Sequence, residues 1–212
     1  MACHERVIKQ GPEALNKATE ILLRGGVVAI PTDTIYGICC LAENTDAVSK
    51  IYKIKGRDFS KPLAICVEKL EDFSKCVQVG KFSSLLSDLL PGGITVVLPR
   101  CIPDLNPNLN PNCSTLGVRI PDHQFVLDLC RSVGRPIALT SANKSNTGNS
   151  VQVQDFQNLW DDLDLTVNGG ELGKPQASTV FSVSVTDNTF TIIREGRDFD
   201  KVQKALKKHG LQ

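Results

Sequence analysis

Aromatic side chains are scarce in this chain: Phe, Trp and Tyr together make up 5% of its 212 residues. Its core must therefore be built mainly from Val, Ile, Leu and Ala. Histidine is scarcer still. His4, His123 and His209 are the only three, two of them near the termini, while His123 follows Pro121-Asp122 and reads as the start of a helix. No Ser-His-Asp arrangement can be assembled from them, and a histidine general base is not expected. An excess of charge of one sign is missing too. Twenty-four Lys and Arg against 23 Asp and Glu leave a formal charge of +1. That lacks the large basic surplus of proteins whose main task is to grip long nucleic acid, although a local basic cavity can be balanced by acid elsewhere.

Long apolar runs are also absent. No stretch of ~18 or more apolar residues occurs, so no membrane-spanning helix is expected. The start, Met1-Ala2-Cys3-His4-Glu5-Arg6, resembles neither a signal peptide nor an Arg-rich, acid-poor transit peptide. The eight cysteines contain no CxxC pair, which leaves little for a zinc or redox motif. Cys39, Cys40 and Cys66 sit in apolar, strand-like runs, where a free Cys behaves as a small hydrophobe. Free thiols in a reducing compartment are the expectation. Neither a P-loop nor a GxGxxG pattern is present, so nucleotide binding cannot rest on those motifs.

What is present is an alternation of helical and strand signals. Residues 12–24 carry Ala14, Leu15, Ala18, Ile21 and Leu22 at helical spacing and stop at Gly25-Gly26. A buried strand over 27–30, a polar turn over 31–34 and a second apolar run over 35–41 follow. Residues 46–54 form the next amphipathic helix, with Gly56 suited to its C-terminal cap. Strands are expected over 63–67, 94–98, 116–120, 136–139 and 165–167, and helices over 69–76, 82–90, 124–133 and 153–160. Residues 101–114, with Pro103, Pro107 and Pro111, read as a long exposed loop. Residues 178–185 and 189–194 read as a hairpin turning at Asp187-Asn188. A basic helix over 201–209 ends the chain. The pattern is that of one α/β domain with a mixed sheet. Its expected extent is 12–200, with 1–11 as an N-terminal extension and 201–212 as a C-terminal basic helix or tail.

Two clusters carry chemistry. Lys55, Arg57 and Lys61 stand between a helix end and a strand, and Thr140, Ser141 and Asn143 follow another strand. Cations with short hydroxyls and amides suit a ligand with a polyphosphate tail, and the second cluster lies directly after a strand-like run, where ligands of α/β sheets gather. A solvated cation face and ordinary turn chemistry are the competing readings. The helix dipole is negative at the Lys55 end, so cations there would have to hold an anion themselves. Arg119 lies inside the apolar strand Leu116-Gly117-Val118-Arg119-Ile120. Either it is an edge residue facing water or it clamps a carboxylate or phosphate in a cavity, because an unpaired buried guanidinium costs several kcal/mol. Thr32-Asp33-Thr34 reads as a turn or a helix cap.

Taken in order along the chain, these segments resemble the YrdC family of threonylcarbamoyl-adenylate synthases. Pro31-Thr32-Asp33-Thr34-Ile35-Tyr36-Gly37 is similar to the family's opening motif, and Lys55-Gly56-Arg57 with Lys61-Pro62 to its K-x-R segment. Gly117-Val118-Arg119-Ile120-Pro121 is similar to the strand with the family arginine, and Thr140-Ser141-Ala142-Asn143 to the S-x-N segment. Asn168-Gly169-Gly170, Ser178-Thr179-Val180 and Ile193-Arg194-Glu195-Gly196 resemble the closing motifs. The matches run from about residue 27 to residue 196. The resemblance implies a single YrdC-like domain: a twisted mixed β-sheet flanked by helices, with a concave, positively charged cavity. It implies the formation of threonylcarbamoyl-AMP and pyrophosphate from L-threonine, bicarbonate and ATP, with Mg²⁺ on the phosphates. The product would pass to a separate transferase complex for N6-threonylcarbamoyladenosine in tRNA. The alternative is an RNA-binding module using the same basic cavity without turnover, with direct tRNA contact. A hydrogenase-maturation carbamoyl-transfer domain is disfavoured, because the acylphosphatase and zinc-finger neighbours are missing.

By the same resemblance, Thr34, Arg119, Leu139 and Ser178 would hold threonine, with Arg119 on its carboxylate and Leu139 acting through its backbone. Arg57, Lys61, Thr115, Ser141, Asn143, Asn149 and Arg194 would line the ATP site, and Lys55 and Arg57 are the catalytic candidates. The location implied is cytoplasmic, with a mitochondrial form from a longer precursor. Three departures stand out: Pro91-Gly92-Gly93 where P-G-P is usual, Asn168 where Asp is usual, and Glu195 where Pro is common. None removes a proposed clamp.

Overall fold

The computed structural model describes residues 5–56, 62–101, 106, 108–144 and 148–211. Its strands are β1 (Val7–Lys9), β2 (Val28–Ile30), β3 (Gly37–Leu41), β4 (Ala64–Cys66), β5 (Ile94–Pro99), β6 (Thr115–Arg119), β7 (Ile137–Ser141), β8 (Leu165–Asn168), β9 (Thr179–Val183) and β10 (Phe190–Arg194). They form one mixed sheet in the order β1-β8-β2-β3-β7-β4-β6-β5-β9-β10. The helices are α1 (Pro12–Leu23), α2 (Thr45–Ile54), α3 (Leu70–Cys76), α4 (Ser83–Leu89), α5 (Gln124–Val133) and α6 (Phe199–Lys208), with 3₁₀ segments at Gly80–Phe82 and Val153–Asp162.

Strand alternation divides the core into two layers. On β3, Ile38 and Cys40 point to one face, and Cys39 and Leu41 to the other, as a period of two requires. The larger layer gathers Ala47, Val48 and Ile51 of α2, Leu85 and Leu86 of α4, Phe156 of the second 3₁₀ segment and Val202 of α6. The other is closed by α1 and α5, through Ala14, Ala18, Leu22, Val126 and Leu129. Local chemistry sets the ends of these helices. Pro12 opens α1, the Asn44 side chain caps α2 by accepting the Ala47 N–H at 2.9 Å, and Gly134, at φ +64°, closes α5 in the left-handed region that favours glycine. The sequence-predicted hairpin forms, with β9 and β10 antiparallel.

Three expectations need correction. Residues 7–9 are not outside the domain: they form β1, paired in parallel with β8. Nor is the basic C-terminal helix a tail, since α6 packs on α4 and buries Val202, Ala205 and Leu206. The described residues between 101 and 114 are also less exposed than the segment's Pro and Asn content suggests, for Asn106, Leu109 and Asn110 are buried. The reason is side-chain mimicry of backbone pairing. The Asn110 amide accepts the Leu63 N–H at 2.6 Å and donates to the Leu63 carbonyl at 2.8 Å, and Asn106 donates to the Ala42 carbonyl at 2.9 Å. Asn110, at φ +55°, adopts a conformation that Asn tolerates better than most residues.

Candidate active site

Seven neighbouring strands, β3, β7, β4, β6, β5, β9 and β10, contribute to a cavity of about 510 Å³. Small residues make room for it. Gly37 lies opposite Ser141 and Gly117 opposite Ala64. A Cβ at Gly37 would come within 2.7 Å of Leu139 Cδ1, and one at Gly117 within 3.1 Å of Thr95 Cγ2. Thr34, Lys55, Thr115, Arg119, Leu139, Ser141, Asn143, Asn149, Ser178 and Arg194 all line this one space. Arg57 and Lys61 lie outside the described residues. The guanidinium groups at 119 and 194 therefore face the same cavity, although 75 positions of sequence separate them.

Arg119 is not an edge residue, because β6 is held between β4 and β5. Its side chain is only 6% exposed, and so is that of its partner Asp33, whose Oδ1 accepts from Arg119 Nη2. Asp33 Oδ2 accepts the Asp122 N–H at 3.1 Å, and the Asp33 carbonyl accepts from Arg197 Nη1. The Thr32-Asp33-Thr34 turn is thus fastened from three sides. Arg119 Nη1 reaches Thr34 Oγ1 only at 3.4 Å, and Nε is buried with no partner. Thr32 and Thr34 hydroxyls lie 3.0 Å apart, and Thr32 Oγ1 donates to the Ile35 carbonyl at 2.7 Å. Beside them, burial pushes the Cys66 thiol up to about 12, with Arg119 lowering and Asp33 raising it. That thiol stays protonated and is no nucleophile near neutral pH.

Lys55 is buried, and its ammonium is committed to the strand end across the cavity. It donates to the carbonyls of Ser141 at 2.5 Å and Asn143 at 2.7 Å, and to Asn143 Oδ1 at 3.1 Å. Ser141 Oγ in turn donates to Asn143 Oδ1. The cation of the K-x-R segment therefore fixes the S-x-N segment, 86 and 88 positions away. At the opposite wall, Arg194 Nε and Nη2 donate to the Ser178 carbonyl at 3.0 and 2.8 Å, and Nη2 reaches Ser178 Oγ at 3.0 Å. Gly196 lets this strand approach, since a Cβ there would meet the Ala177 carbonyl oxygen at 2.3 Å. Asn149 donates to the Pro175 carbonyl at 2.8 Å, and Thr115 lies exposed at the rim.

Three contributors went unassigned in the sequence. Thr95 shares a 3.0 Å hydrogen bond with Ser178 Oγ; its signal was a lone hydroxyl within the apolar run of β5. Tyr36 donates its phenol to the Gly170 carbonyl at 2.7 Å and accepts the Gly169 N–H at 2.9 Å, which seats the Asn168-Gly169-Gly170 turn. Burial raises the Tyr36 pKa, partly offset by the Gly169 N–H. Asp33, taken as a turn former, is the counter-ion of Arg119, a pairing across 86 positions that no local pattern signals.

Relatives share this architecture. The chain is 44% identical over 206 residues to the mouse protein named threonylcarbamoyl-AMP synthase, covering 94% of this chain and 73% of that one. To the human protein of the same name it is 42% identical over 206 residues, again 94% and 73% of the two chains. The crystal structure of P. abyssi Sua5 complexed with L-threonine superposes with a TM-score of 0.82 at 26% identity, covering 92% of this chain and 59% of that one. This chain thus spans less than two thirds of the P. abyssi chain. The family profile described as "Telomere recombination" matches residues 20–196, and with a match over most of its length the chain belongs to the Sua5/YciO/YrdC family.

Proposed function

We propose that this protein makes threonylcarbamoyl-AMP and pyrophosphate from L-threonine, bicarbonate and ATP. The observation that carries the reading is the convergence of Thr34, Arg119 and Ser178 with Thr115, Ser141 and Arg194 on one cavity. Residues assigned to an amino acid and residues assigned to a nucleotide border the same space. In this reading Arg119 and Thr34 take the threonine carboxylate, while Ser178 and the Leu139 backbone orient the molecule. Thr115, Ser141, Asn143, Asn149 and Arg194 line the ATP side, and the family motif assigns Arg57 and Lys61, outside the described residues, to ATP as well. Lys55 acts by holding the 141–143 turn in place.

The threonine ammonium first gives up a proton to solvent, and the free amine adds its lone pair to the carbon of bicarbonate or carbon dioxide. An N-carboxy carbamate forms; from bicarbonate the elements of water leave, and from carbon dioxide a second amine proton passes to solvent. A carbamate oxygen then attacks the α-phosphorus, and pyrophosphate departs with the bonding pair. Two anions must approach each other, and fixed donors that hold them aligned lower that barrier. ATP arriving as its Mg²⁺ complex would carry partly neutralised phosphates to these donors. The product is a reactive mixed anhydride, suited to direct handover to a transferase that modifies adenosine in tRNA.

The test is a pyrophosphate-release assay in which each reactant is omitted in turn. Release is expected only with threonine, bicarbonate and ATP together. Threonine-independent release, or salt-sensitive tRNA binding with no turnover, would count against the synthase reading.

A further inference from the structure

Arg119 has one carboxylate on it already. Asp33 sits behind the cavity wall, its side chain as deeply buried as that of Arg119, and its two oxygens are held by Arg119 Nη2 and the Asp122 N–H. A second anchor, from Arg197 Nη1 to the Asp33 carbonyl, fixes the backbone. Such a carboxylate cannot swing away when a ligand arrives. The Arg119 end of the cavity is therefore close to neutral overall, while one of its cationic nitrogens, Nη1, has only the long contact to Thr34. The other two described lining cations are hydrogen-bonded as well: Lys55 donates to carbonyl and amide oxygens, and Arg194 donates to Ser178.

We infer that Asp33 is a specificity-determining residue, whose fixed carboxylate suits the Arg119 subsite to a zwitterionic amino acid and keeps polyphosphate out of it. The inference rests on the proposed reading that Arg119 receives the threonine carboxylate. A zwitterion has no net charge and binds a subsite of no net charge without penalty. A polyanion lying on the same guanidinium would meet the Asp33 carboxylate in a poorly screened setting, where like charges repel far more strongly than in water. The problem is inherent in the chemistry, because ATP and the released pyrophosphate occupy the same cavity and would otherwise compete for the cation meant for the amino acid. Asp33 solves it by negative charge placed outside the ligand's reach. It acts through Arg119 and is a positioning residue rather than a catalytic one.

The test compares dissociation constants of L-threonine and inorganic pyrophosphate, by calorimetry, for the full chain and for Asp33→Asn and Asp33→Glu. The wild type should bind threonine with an affinity that pyrophosphate changes by less than about twofold. In Asp33→Asn the ratio of the two affinities should move about tenfold or more toward pyrophosphate, which now competes with threonine. Asp33→Glu keeps the charge and should hold the ratio within about threefold of wild type. Equal weakening of both ligands in Asp33→Asn would mean a merely structural role and overturn the inference. Should Asp33→Asn not fold, competition between pyrophosphate and threonine on the wild type overturns it by itself. Absence of threonine binding by the wild type would instead overturn the synthase reading and this inference together, and it appears before any substitution is made.

Discussion

Replacing Lys55 with Met keeps the apolar stem and removes only the ammonium. In the structure that group makes two short hydrogen bonds to carbonyls, at 2.5 Å to Ser141 and 2.7 Å to Asn143. Hydrogen bonds from charged donors contribute about 1.5–3 kcal/mol each, so the gross loss is about 3–6 kcal/mol. Removing a buried cation also returns part of its desolvation cost. A net destabilisation of about 2–4 kcal/mol follows. For a chain of this size each kcal/mol lowers Tm by about 2–4 °C, giving a fall of about 4–16 °C by circular dichroism. The released 141–143 turn should raise the KM for ATP more than that for threonine in the pyrophosphate assay. An unchanged Tm with complete loss of turnover would refute the reasoning, because the ammonium would then act on the reactants and not on the turn.

Arg119→Ala should abolish threonine-dependent pyrophosphate release and, by stranding the buried Asp33 carboxylate, destabilise the fold by about 3–5 kcal/mol in urea unfolding. Arg57→Ala should chiefly impair ATP use, read as a rise in the KM for ATP with threonine saturating. Asn110→Ala leaves the Leu63 N–H and carbonyl without their partners and should cost about 2–5 kcal/mol, again by urea unfolding, without moving the KM of any substrate beyond about twofold. Burial pushes the Cys40 and Cys66 thiols from 9.0 up to about 12. Between those values the folded chain holds protons that the unfolded chain has lost, so their contribution is complete below about pH 9 and falls as pH rises. Stability should drop by about 1.4 kcal/mol per thiol between about pH 8 and pH 10, and a flat profile over that range would contradict their burial.

The helices were readable because their signals are local. Leu129 and Val133 on α5, or Val48 and Ile51 on α2, repeat at a spacing that depends on a few neighbouring residues and survives whatever the rest of the chain does. The site motifs were readable as a set because their order along the chain matched a family, and the ten assigned residues that fall within the described part of the chain line one cavity. Asn110 and Asn106 misled for an equally physical reason. Polar, turn-forming residues usually mark surface loops, but an Asn amide carries both a donor and an acceptor and can pair with buried backbone as a strand would. β1 was missed because three residues carry too little pattern to announce a strand that depends on β8, nearly 160 positions later.

Sequence by itself determined the order of the helices and of the strands after β1, the family, and which residue types border the site, since each of these is written in short-range periodicity or in motifs. Tertiary structure alone decided what those residues touch. Whether Lys55 faces a ligand or a carbonyl, and whether Arg119 faces water or Asp33, depends on strand order and register across the sheet. A charge takes whichever partner the fold brings within about 3 Å, and that distance is a property of packing rather than of neighbours along the chain.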